Sequence, residues 1–322
     1  MKDKIIIITP YKFGGVKDQT DLIINNLKKI KKIYLLKTKK DINKINKIKL
    51  LHIKYILLQY SPYGLATRGL CFWVLKLIKD LKKKNIKLIV NFHELYAYSI
   101  FPWKSAFWLH LLQKYLFIRI CMLADVAITP SKKYFLKIKK FNKKKKKYFP
   151  TISSIGEAKK INKKKKILVI FGTKVLRAKV YKKFGYNIVN WSNINNYKII
   201  DIGPPLEKLI EKKYKKMGVN FYGILNNTKI LNIFKNSKYG ILDYDNERID
   251  KSSVFAAYAA NGVIPILMSE KKCDILKKNY HYLTRLPLKN INSKKISLNI
   301  FRWYIKHNTK IFISKIVNKY FK

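Results

Sequence analysis

Short runs of consecutive apolar residues alternate along this chain with longer stretches of helical periodicity. A strand that is apolar on both faces must be covered on both sides, and helical stretches between such strands place them in a parallel sheet. The alternation predicts an α/β protein with two Rossmann-like domains, whose parallel sheets face each other across a cleft. The strand candidates are Ile5–Thr9, Ile33–Leu36, Tyr55–Gln59, Lys87–Phe92, Val126–Thr129, Ile167–Phe171, Ile199–Ile202, Val219–Tyr222, Tyr239–Leu242 and Val263–Leu267.

Two lysine runs interrupt this alternation and indicate where the domains end. Lys143–Lys147 follows the first series of strands and Lys163–Lys166 precedes the second, and such runs are typical of solvated hinges. The segment between them has the proline, serine and glycine content of a linker. We predict a first domain over residues 1–150, a linker over 151–166, a second domain over 167–296 and a C-terminal helical segment over 297–322.

The charge is strongly unbalanced. Lysine and arginine together number 71 and aspartate and glutamate 17, a formal net charge of +54. Such a field attracts nucleic acid or an anionic membrane surface. Only six of the basic residues are arginine, the side chain best suited to bidentate phosphate contacts, and lysine, isoleucine, asparagine and tyrosine are abundant together. We attribute most of the charge to A/T-rich coding DNA, and selection for an anionic partner stays open.

Cysteine usage and hydropathy bear on the compartment. Cys71, Cys121 and Cys273 are scattered and form no Cys-x-x-Cys pair, which predicts neither a disulfide framework nor a zinc site. The N-terminus runs directly into an apolar strand, and no 18 consecutive residues are apolar, so we expect neither a targeting segment nor a spanning helix. These features favour a cytoplasmic protein, peripheral at most to the inner face of a membrane.

The most apolar region is Phe101–Ile128, which charged and polar residues interrupt. We interpret it as an amphipathic or buried helix pair. Its aromatic residues, at helical spacing, are predicted to be mainly core, with a lipid-facing surface as the alternative; they are Trp103, Phe107, Trp108 and Tyr115.

In doubly wound sheets, ligands bind beyond the carboxyl ends of the strands, so the loops after strands are the candidate sites. In the first half, Gly14 and Gly15 follow the first strand, where paired glycines let a backbone approach a ligand. The fingerprint Gly-x-Gly-x-x-Gly is absent, which disfavours a dinucleotide site. His93 and Glu94 end the fourth strand, where an imidazole can donate to a sugar hydroxyl or a phosphate oxygen, or transfer a proton.

Two loops of the second half carry the donors that an anion requires. Gly172 and Thr173 follow the strand Ile167–Phe171, and Arg177 is predicted to reach a diphosphate there. After Tyr239–Leu242 a polar loop leads to a small-residue helix, and its start combines a cation with two hydroxyls: Lys251, Ser252 and Ser253. A plain helix cap is the alternative for the serines.

The same polar loop supplies secondary candidates. Tyr244 and Glu247 lie in it, together with Glu94 of the first half. Asp243-Tyr244-Asp245 matches an Asp-x-Asp metal pattern, but any short acidic loop does so, and we predict no metal.

These motifs, in this order on two successive sheets, resemble the glycosyltransferases of the two-Rossmann-domain (GT-B) type, the large family with glycogen-synthase-like and mannosyltransferase members. The resemblance spans most of the chain. It is carried by Gly14-Gly15, His93-Glu94, Phe171-Gly172-Thr173, Phe221–Leu225 and the stretch from Lys251 to Pro265. Arg248 and Ala256 occupy the two positions, eight apart, where the family often has glutamates.

The resemblance implies a transferase that moves a sugar from a nucleotide-diphosphate sugar to an acceptor, with the second domain holding the donor and the first lying on the acceptor side. It implies that His93 faces the transferred sugar as the catalytic residue, and that Gly14 and Gly15 face donor phosphate or acceptor. It places donor contacts at Gly172, Thr173, Arg177, Lys251, Ser252 and Ser253. No cofactor is expected beyond the donor itself.

The acceptor we expect is a cell-envelope or lipid-linked glycan, with an anionic membrane surface as a further partner and no specific nucleic acid. Two alternatives remain. A basic nucleic-acid-binding protein explains the charge directly, although no zinc finger, heptad or RNP-like aromatic box is present. A catalytically inactive glycosyltransferase homologue explains the missing glutamates.

Overall fold

A computed structural model describes residues 4–10, 15–28, 31–41, 53–269, 273–287 and 291–321. The chain divides into two units. Unit 1 comprises residues 1–150 and 310–322, and unit 2 comprises residues 151–309.

Unit 1 is built on a six-stranded sheet in the order β2-β1-β3-β4-β5-β6, and every pair of neighbours is parallel. Its centre is fully buried because the apolar runs are covered on both faces: Ile5 to Ile8 have no exposed surface. The strands are β1 (Lys4–Ile8), β2 (Lys32–Leu36), β3 (Ile53–Tyr60), β4 (Lys87–Phe92), β5 (Val126–Thr129) and β6 (Lys145–Tyr148).

Helices connect these parallel strands, as crossovers require. They are α1 (Gly15–Leu27), α2 (Pro62–Leu65), α3 (Phe72–Lys82), α4 (Ser105–Leu123) and α5 (Lys132–Phe141), with 3-10 turns at Lys39–Asp41 and Thr67–Gly69. After unit 2 the chain returns to unit 1 through α11 (Thr309–Phe312), a π-helical turn (Ile313–Asn318) and α12 (Lys319–Phe321).

Strand β6 differs from the sequence interpretation, which placed a solvated hinge at Lys143–Lys147. Lys145–Tyr148 instead pairs with β5 at the edge of the sheet. Backbone hydrogen bonds to β5 hold such a strand, while the side chains of Lys145 and Lys147 stay exposed. Lysines on an edge strand also discourage pairing with another chain.

Helix α4 departs from its predicted role in the core. Trp103 just before it, and Trp108 and Tyr115 within it, are exposed, and only Phe107 of the predicted aromatic set is half-buried. The helix has 19 residues and contains an 18-residue stretch with a mean hydropathy of 1.2, so by length and composition alone it is able to cross a membrane. The search for an uninterrupted apolar run did not find it.

Unit 2 is built on a five-stranded parallel sheet in the order β11-β10-β7-β8-β9. Apolar clusters cover both faces: Val169 of β7 lies in one, and its neighbours Leu168 and Ile170 lie in the other. The strands are β7 (Lys165–Phe171), β8 (Lys198–Ile202), β9 (Asn220–Phe221), β10 (Ser237–Leu242) and β11 (Ile264–Leu267). The helices are α6 (Lys174–Ile194), α7 (Lys208–Lys216), α8 (Asn227–Asn236), α9 (Ser253–Ala259) and α10 (Ser293–Ile305), with a 3-10 helix at Asn246–Lys251.

The predicted linker is part of unit 2. Thr151 N donates to Asp250 O at 2.8 Å, Ser153 N donates to the Tyr304 hydroxyl at 2.8 Å, and Ala158 N donates to Ala260 O at 3.1 Å. The predicted C-terminal segment is likewise divided, because α10 belongs to unit 2 and residues 310–322 belong to unit 1. Each segment belongs to the unit that it packs against, and its composition alone does not predict that contact.

Candidate functional site

A cluster of buried amides and an imidazole lies at the carboxyl ends of β3 and β4 in unit 1. Gln59 and Asn91 are partners in the register of the two strands, so their side chains meet: Asn91 Nδ2 donates to Gln59 Oε1 at 3.0 Å. Asn91 Nδ2 also lies 3.1 Å from Oε1 of Gln19 on α1. The first helix and two central strands are thereby joined at the edge where a ligand is expected.

His93 completes this cluster. Its Nε2 lies 2.6 Å from Gln59 Oε1, and its backbone N–H donates to Tyr60 O at 3.0 Å. Nδ2 of Asn91 lies 3.2 Å from the same Nε2, so both amides of the cluster contact this nitrogen. The imidazole is buried, and its orientation is set by the end of β3.

One donor of the cluster has no partner among the described residues. Gln59 is fully buried, and its Nε2 makes no hydrogen bond. An unsatisfied buried donor costs about 1–3 kcal/mol, so a polar ligand atom beside Gln59 would recover that cost. Sequence reasoning missed Gln59 and Asn91, although both are polar residues that interrupt apolar strand runs at their carboxyl ends.

The other residues predicted for unit 1 lie around this edge. Gly15 is the first residue of α1, and Gly14 lies outside the described residues. Glu94 accepts a hydrogen bond from the Tyr134 hydroxyl, with 2.8 Å between Oε2 and the hydroxyl oxygen. The carboxylate of Glu94 is therefore oriented toward α5.

In unit 2 the structure brings together the loops after β7 and β8 and the start of α9. Gly172 has a φ of +137°, and a Cβ there would lie 3.2 Å from Cγ2 of Val254, the second residue of α9. A Cβ at Gly203, after β8, would collide with the carbonyl oxygen of Gly172. The two predicted loops of this half, around Gly172 and around Ser252 and Ser253, are thus neighbours at one edge of the sheet.

Arg177 is buried in unit 2 and paired with Asp201, which differs from the predicted reach toward a diphosphate. Its side chain is 1% exposed and pairs with Asp201, at 2.8 Å from Nη2 to Oδ1, while its Nη1 donates to Pro204 O at 2.5 Å. The guanidinium is held beneath the loops by a buried carboxylate at the next strand. Through Asp201 and the carbonyl of Pro204, Arg177 stabilises this edge of the sheet.

The start of α9 behaves partly as a helix cap. Ser252 is buried, and its Oγ accepts from Phe255 N at 3.2 Å, which satisfies one of the amides that an anion would use. Ser253 is the first helical residue and is half-buried, and Lys251 ends the preceding 3-10 helix. The helix itself has seven residues and is buried from Val254 to Ala259.

Helix α9 is fixed to the sheet by Tyr258. Its hydroxyl accepts from Phe171 N at 3.1 Å and lies 3.3 Å from Val169 O, and its ring occupies the space that a side chain at Gly240 would take. Burial raises the pKa of the Tyr258 hydroxyl above its usual value, so it stays protonated and keeps donating. The position of Ser252 and Ser253 is therefore set by the two central strands.

The acidic loop before α9 is occupied by internal contacts. Asp243 pairs with Lys183 at 3.0 Å, and Asp245 accepts from Glu247 N and pairs with Arg248. Tyr244 is half-buried, and Glu247 is exposed. Within the described residues, no three His, Cys, Asp or Glu side chains group as a metal site would require.

A further cation lies at this edge. Lys174 is the exposed first residue of the 21-residue helix α6, directly after Gly172 and the N-cap Thr173. A helix of this length carries partial positive charge at its first amides, and a lysine there adds a full charge. Its position after the N-cap could have identified it, but sequence reasoning selected Arg177 one turn later.

Comparison with known proteins gives no sequence match: no family profile and no curated protein is similar to this chain. Comparison of folds does find similar solved structures. A crystal structure of Anabaena Alr3699/HepE, in complex with UDP and glucose, has a TM-score of 0.64 at 9% identity over 98% of this chain and 99% of that one.

Two further structures share the fold at similar distance. AviGT4, a glycosyltransferase involved in avilamycin A biosynthesis, has a TM-score of 0.53 at 10% identity over 98% of this chain and 96% of that one. The pneumococcal O-GlcNAc transferase GtfA, in complex with UDP and GlcNAc, has a TM-score of 0.56 at 10% identity; it is matched over 87% of this chain and 59% of its own length. The chain therefore has the GT-B fold, which confirms the predicted fold class of two parallel Rossmann-like sheets.

Proposed function

We propose that this protein is a glycosyltransferase that takes a sugar from a nucleotide-diphosphate sugar. One observation carries the proposal: the loop at Gly172 and the start of α9 are neighbours at the carboxyl edge of the unit 2 sheet, in a fold shared with solved structures that hold UDP. The departing diphosphate gains negative charge as the glycosidic bond breaks, and fixed cations and backbone amides at this edge stabilise it.

We assign the diphosphate contacts to Lys251 and Lys174 with the backbone at Gly172 and Thr173, and Ser253 as a hydroxyl donor. Each well-placed donor contributes about 3 kcal/mol to lowering the barrier. In this proposal the lysines stabilise the leaving group without a metal, so chelation with EDTA leaves the activity unchanged.

In unit 1 we assign His93 to the transferred sugar. The contact between Nε2 of His93 and Oε1 of Gln59 orients the ring, and the unpartnered Nε2 of Gln59 supports recognition of a sugar hydroxyl. The acceptor we propose is a cell-envelope or lipid-linked glycan, glycosylated on the cytoplasmic side of the membrane.

Donor binding to the full chain tests this function. A thermal-shift panel of uridine-, guanosine- and adenosine-diphosphate sugars identifies the nucleotide, because a ligand at 100 times its Kd adds about 2.7 kcal/mol to the free energy of unfolding. Stabilisation by one nucleotide class supports the proposal. If no nucleotide sugar binds, the protein is not a transferase, and tight, salt-sensitive binding to nucleic acid instead would favour the nucleic-acid alternative.

The lysines are then tested in the reaction with the donor identified. We expect Lys251→Ala and Lys174→Ala each to slow donor cleavage at least about tenfold, because each removes a charge that stabilises the leaving group. Lys212→Ala, on the covering helix α7 of the same unit, is the matched control and should react like the wild type. An unchanged rate in Lys251→Ala would remove that residue from the site.

A further inference from the structure

Unit 1 carries a continuous series of large apolar side chains on its outside. They follow β4 and continue into the first three turns of α4, where most apolar residues of a helix would face the core. Trp103 is 77% exposed, Trp108 68% and Leu111 64%. We call this set the aromatic face; its members are Tyr98, Ile100, Phe101, Trp103, Trp108, Leu111, Leu112 and Tyr115.

Helix α4 is apolar on its outward face as well as on its inward one. The outward residues Trp108, Leu111 and Tyr115 recur at helical spacing, while Gln113 faces inward with no exposed surface. Gln113 accepts from Ala97 N at 2.8 Å and donates to Arg68 O at 2.8 Å. A polar side chain is thus buried on this helix, while the three outward apolar residues remain largely exposed.

The aromatic face is ordered by its own contacts. Trp108 Nε1 donates to Pro102 O at 2.8 Å, which ties the preceding loop to the first turns of α4. The rings of Phe101 and Trp103 lie 4.9 Å apart, and Lys104 Nζ lies 4.9 Å from the centroid of Phe101. Large apolar groups are therefore held in place toward solvent, and exposed patches of this kind mark binding surfaces.

The charge and composition of the aromatic face indicate what kind of partner binds to it. Between Glu94 and Asp125 the sequence contains no acidic residue, and its charged side chains are Lys104, Lys114 and Arg119. Tryptophan and tyrosine concentrate at the boundary between headgroups and acyl chains, and basic residues beside them are attracted to anionic lipid. Lysine is depleted at protein–protein interfaces, so this combination fits a bilayer better than a protein partner.

The helix cannot leave unit 1 to cross the bilayer without dismantling the core. Its inward residues Leu116, Phe117 and Ile120 are fully buried in the core of the unit. Phe117 packs against Phe92 and Phe141, with ring centroids 5.6 and 5.9 Å apart. Although α4 is long and apolar enough to span, it is held so that only its outward stripe can enter lipid, as in interfacial helices.

We propose that the aromatic face docks unit 1 onto the surface of an anionic lipid bilayer, with its tryptophans and leucines in the headgroup region and its cations on the phosphates. This deepens the proposed function, since it rests on an acceptor at the membrane. The docking itself needs no nucleotide sugar, so it is tested without one.

The test is flotation of the full chain with phosphatidylcholine vesicles, with and without phosphatidylglycerol. We expect the wild type to float with the anionic vesicles, and its tryptophan emission to shift to shorter wavelength. In the variant Trp103→Ser/Trp108→Ser/Leu111→Ser, the fraction of protein bound to vesicles should be at least about tenfold lower, because its apolar contacts with lipid are removed. The matched control is Tyr186→Ser/Ile194→Ser/Leu209→Ser, which changes equally exposed apolar residues of unit 2 and should float like the wild type.

Two results would overturn the docking surface. Equal flotation of the wild type and the aromatic-face variant would show that diffuse lysine charge, and not this face, binds lipid. A wild type that ignores vesicles but self-associates until these residues are changed would assign the face to a second copy. Calorimetric titration of the same variants with the donor in solution distinguishes the docking proposal from the proposed transferase function. A variant that binds the donor normally but does not float has lost only docking.

Discussion

The residue that most changes the understanding of unit 2 is Arg177. A buried ion pair contributes little net stability, but breaking it leaves a charge in a medium that solvates it poorly. Asp201 is fully buried and also accepts from the Tyr181 hydroxyl at 3.0 Å, so Arg177 and Tyr181 share one carboxylate below the candidate donor edge. Arg177 therefore supports the loop at Gly203 through its contacts with Asp201 and Pro204.

We expect Arg177→Met to lower the free energy of unfolding of unit 2 by about 3–5 kcal/mol, because Asp201 then loses its buried counter-ion. Amide hydrogen exchange along β7 and β8 measures the loss. The double variant Arg177→Met/Asp201→Asn removes the orphaned charge and should recover most of it. A double variant as unstable as the single one would mean that packing, and not the ion pair, sets the role of Arg177.

At the scale of elements, the donor edge depends on how closely two strand ends approach. Gly172 N donates to Ile202 O at 3.3 Å, and Gly203 N donates to Gly223 O at 2.9 Å. Backbone hydrogen bonds therefore join the end of β7 to that of β8, and the end of β8 to the loop after β9. A side chain at Gly203 would press on the backbone of Gly172. The glycines let the loops lie directly against each other.

Gly203→Ala tests this approach, with Gly218→Ala as the matched control. Both glycines have positive φ, at +150° and +92°, but a Cβ at Gly218 would meet nothing within 4 Å. Both variants lose stability from backbone strain, and Gly203→Ala should lose about 1–3 kcal/mol more because the Gly172 carbonyl must move. Equal melting temperatures for the two variants would contradict the close approach.

At the scale of the whole molecule, the C-terminal residues complete the first unit. Phe312, Ile316, Val317 and Phe321 are buried. Phe321 lies against Tyr55 of β3, with ring centroids 5.8 Å apart, and Phe312 lies against Phe149 at 5.3 Å. Unit 1 is therefore assembled from two stretches of the chain that the whole of unit 2 separates in sequence.

We expect Phe321→Ala to destabilise unit 1 by about 3–5 kcal/mol, since a buried aromatic ring is replaced by a cavity. Hydrogen exchange should accelerate in β3 and leave β7 and β10 unchanged. The matched control is Lys319→Ala, an exposed position in the same short helix. Faster exchange in unit 2 as well would show that the two units unfold together.

The strands could be predicted from the sequence because burial on both faces leaves one solution for runs such as Ile5–Thr9 or Val126–Thr129: a central position in a parallel sheet. A small-residue helix was likewise predicted after the polar loop that follows Tyr239–Leu242, and α9 is that helix. The candidate loops followed from topology, since parallel strands bring their carboxyl ends to one edge. These conclusions depend on local patterns, which the chain carries in order.

Tertiary structure alone decided what lies opposite each face. Periodicity groups Trp108, Leu111 and Tyr115 on one side of a helix, but only the packed core shows that this side is the outer one. Composition marks Lys145–Lys147 as charged, but the open edge of β5 makes it a strand. Arg177 and Asp201 are 24 residues apart, and their pairing depends on where two strands end in space, which no local pattern records.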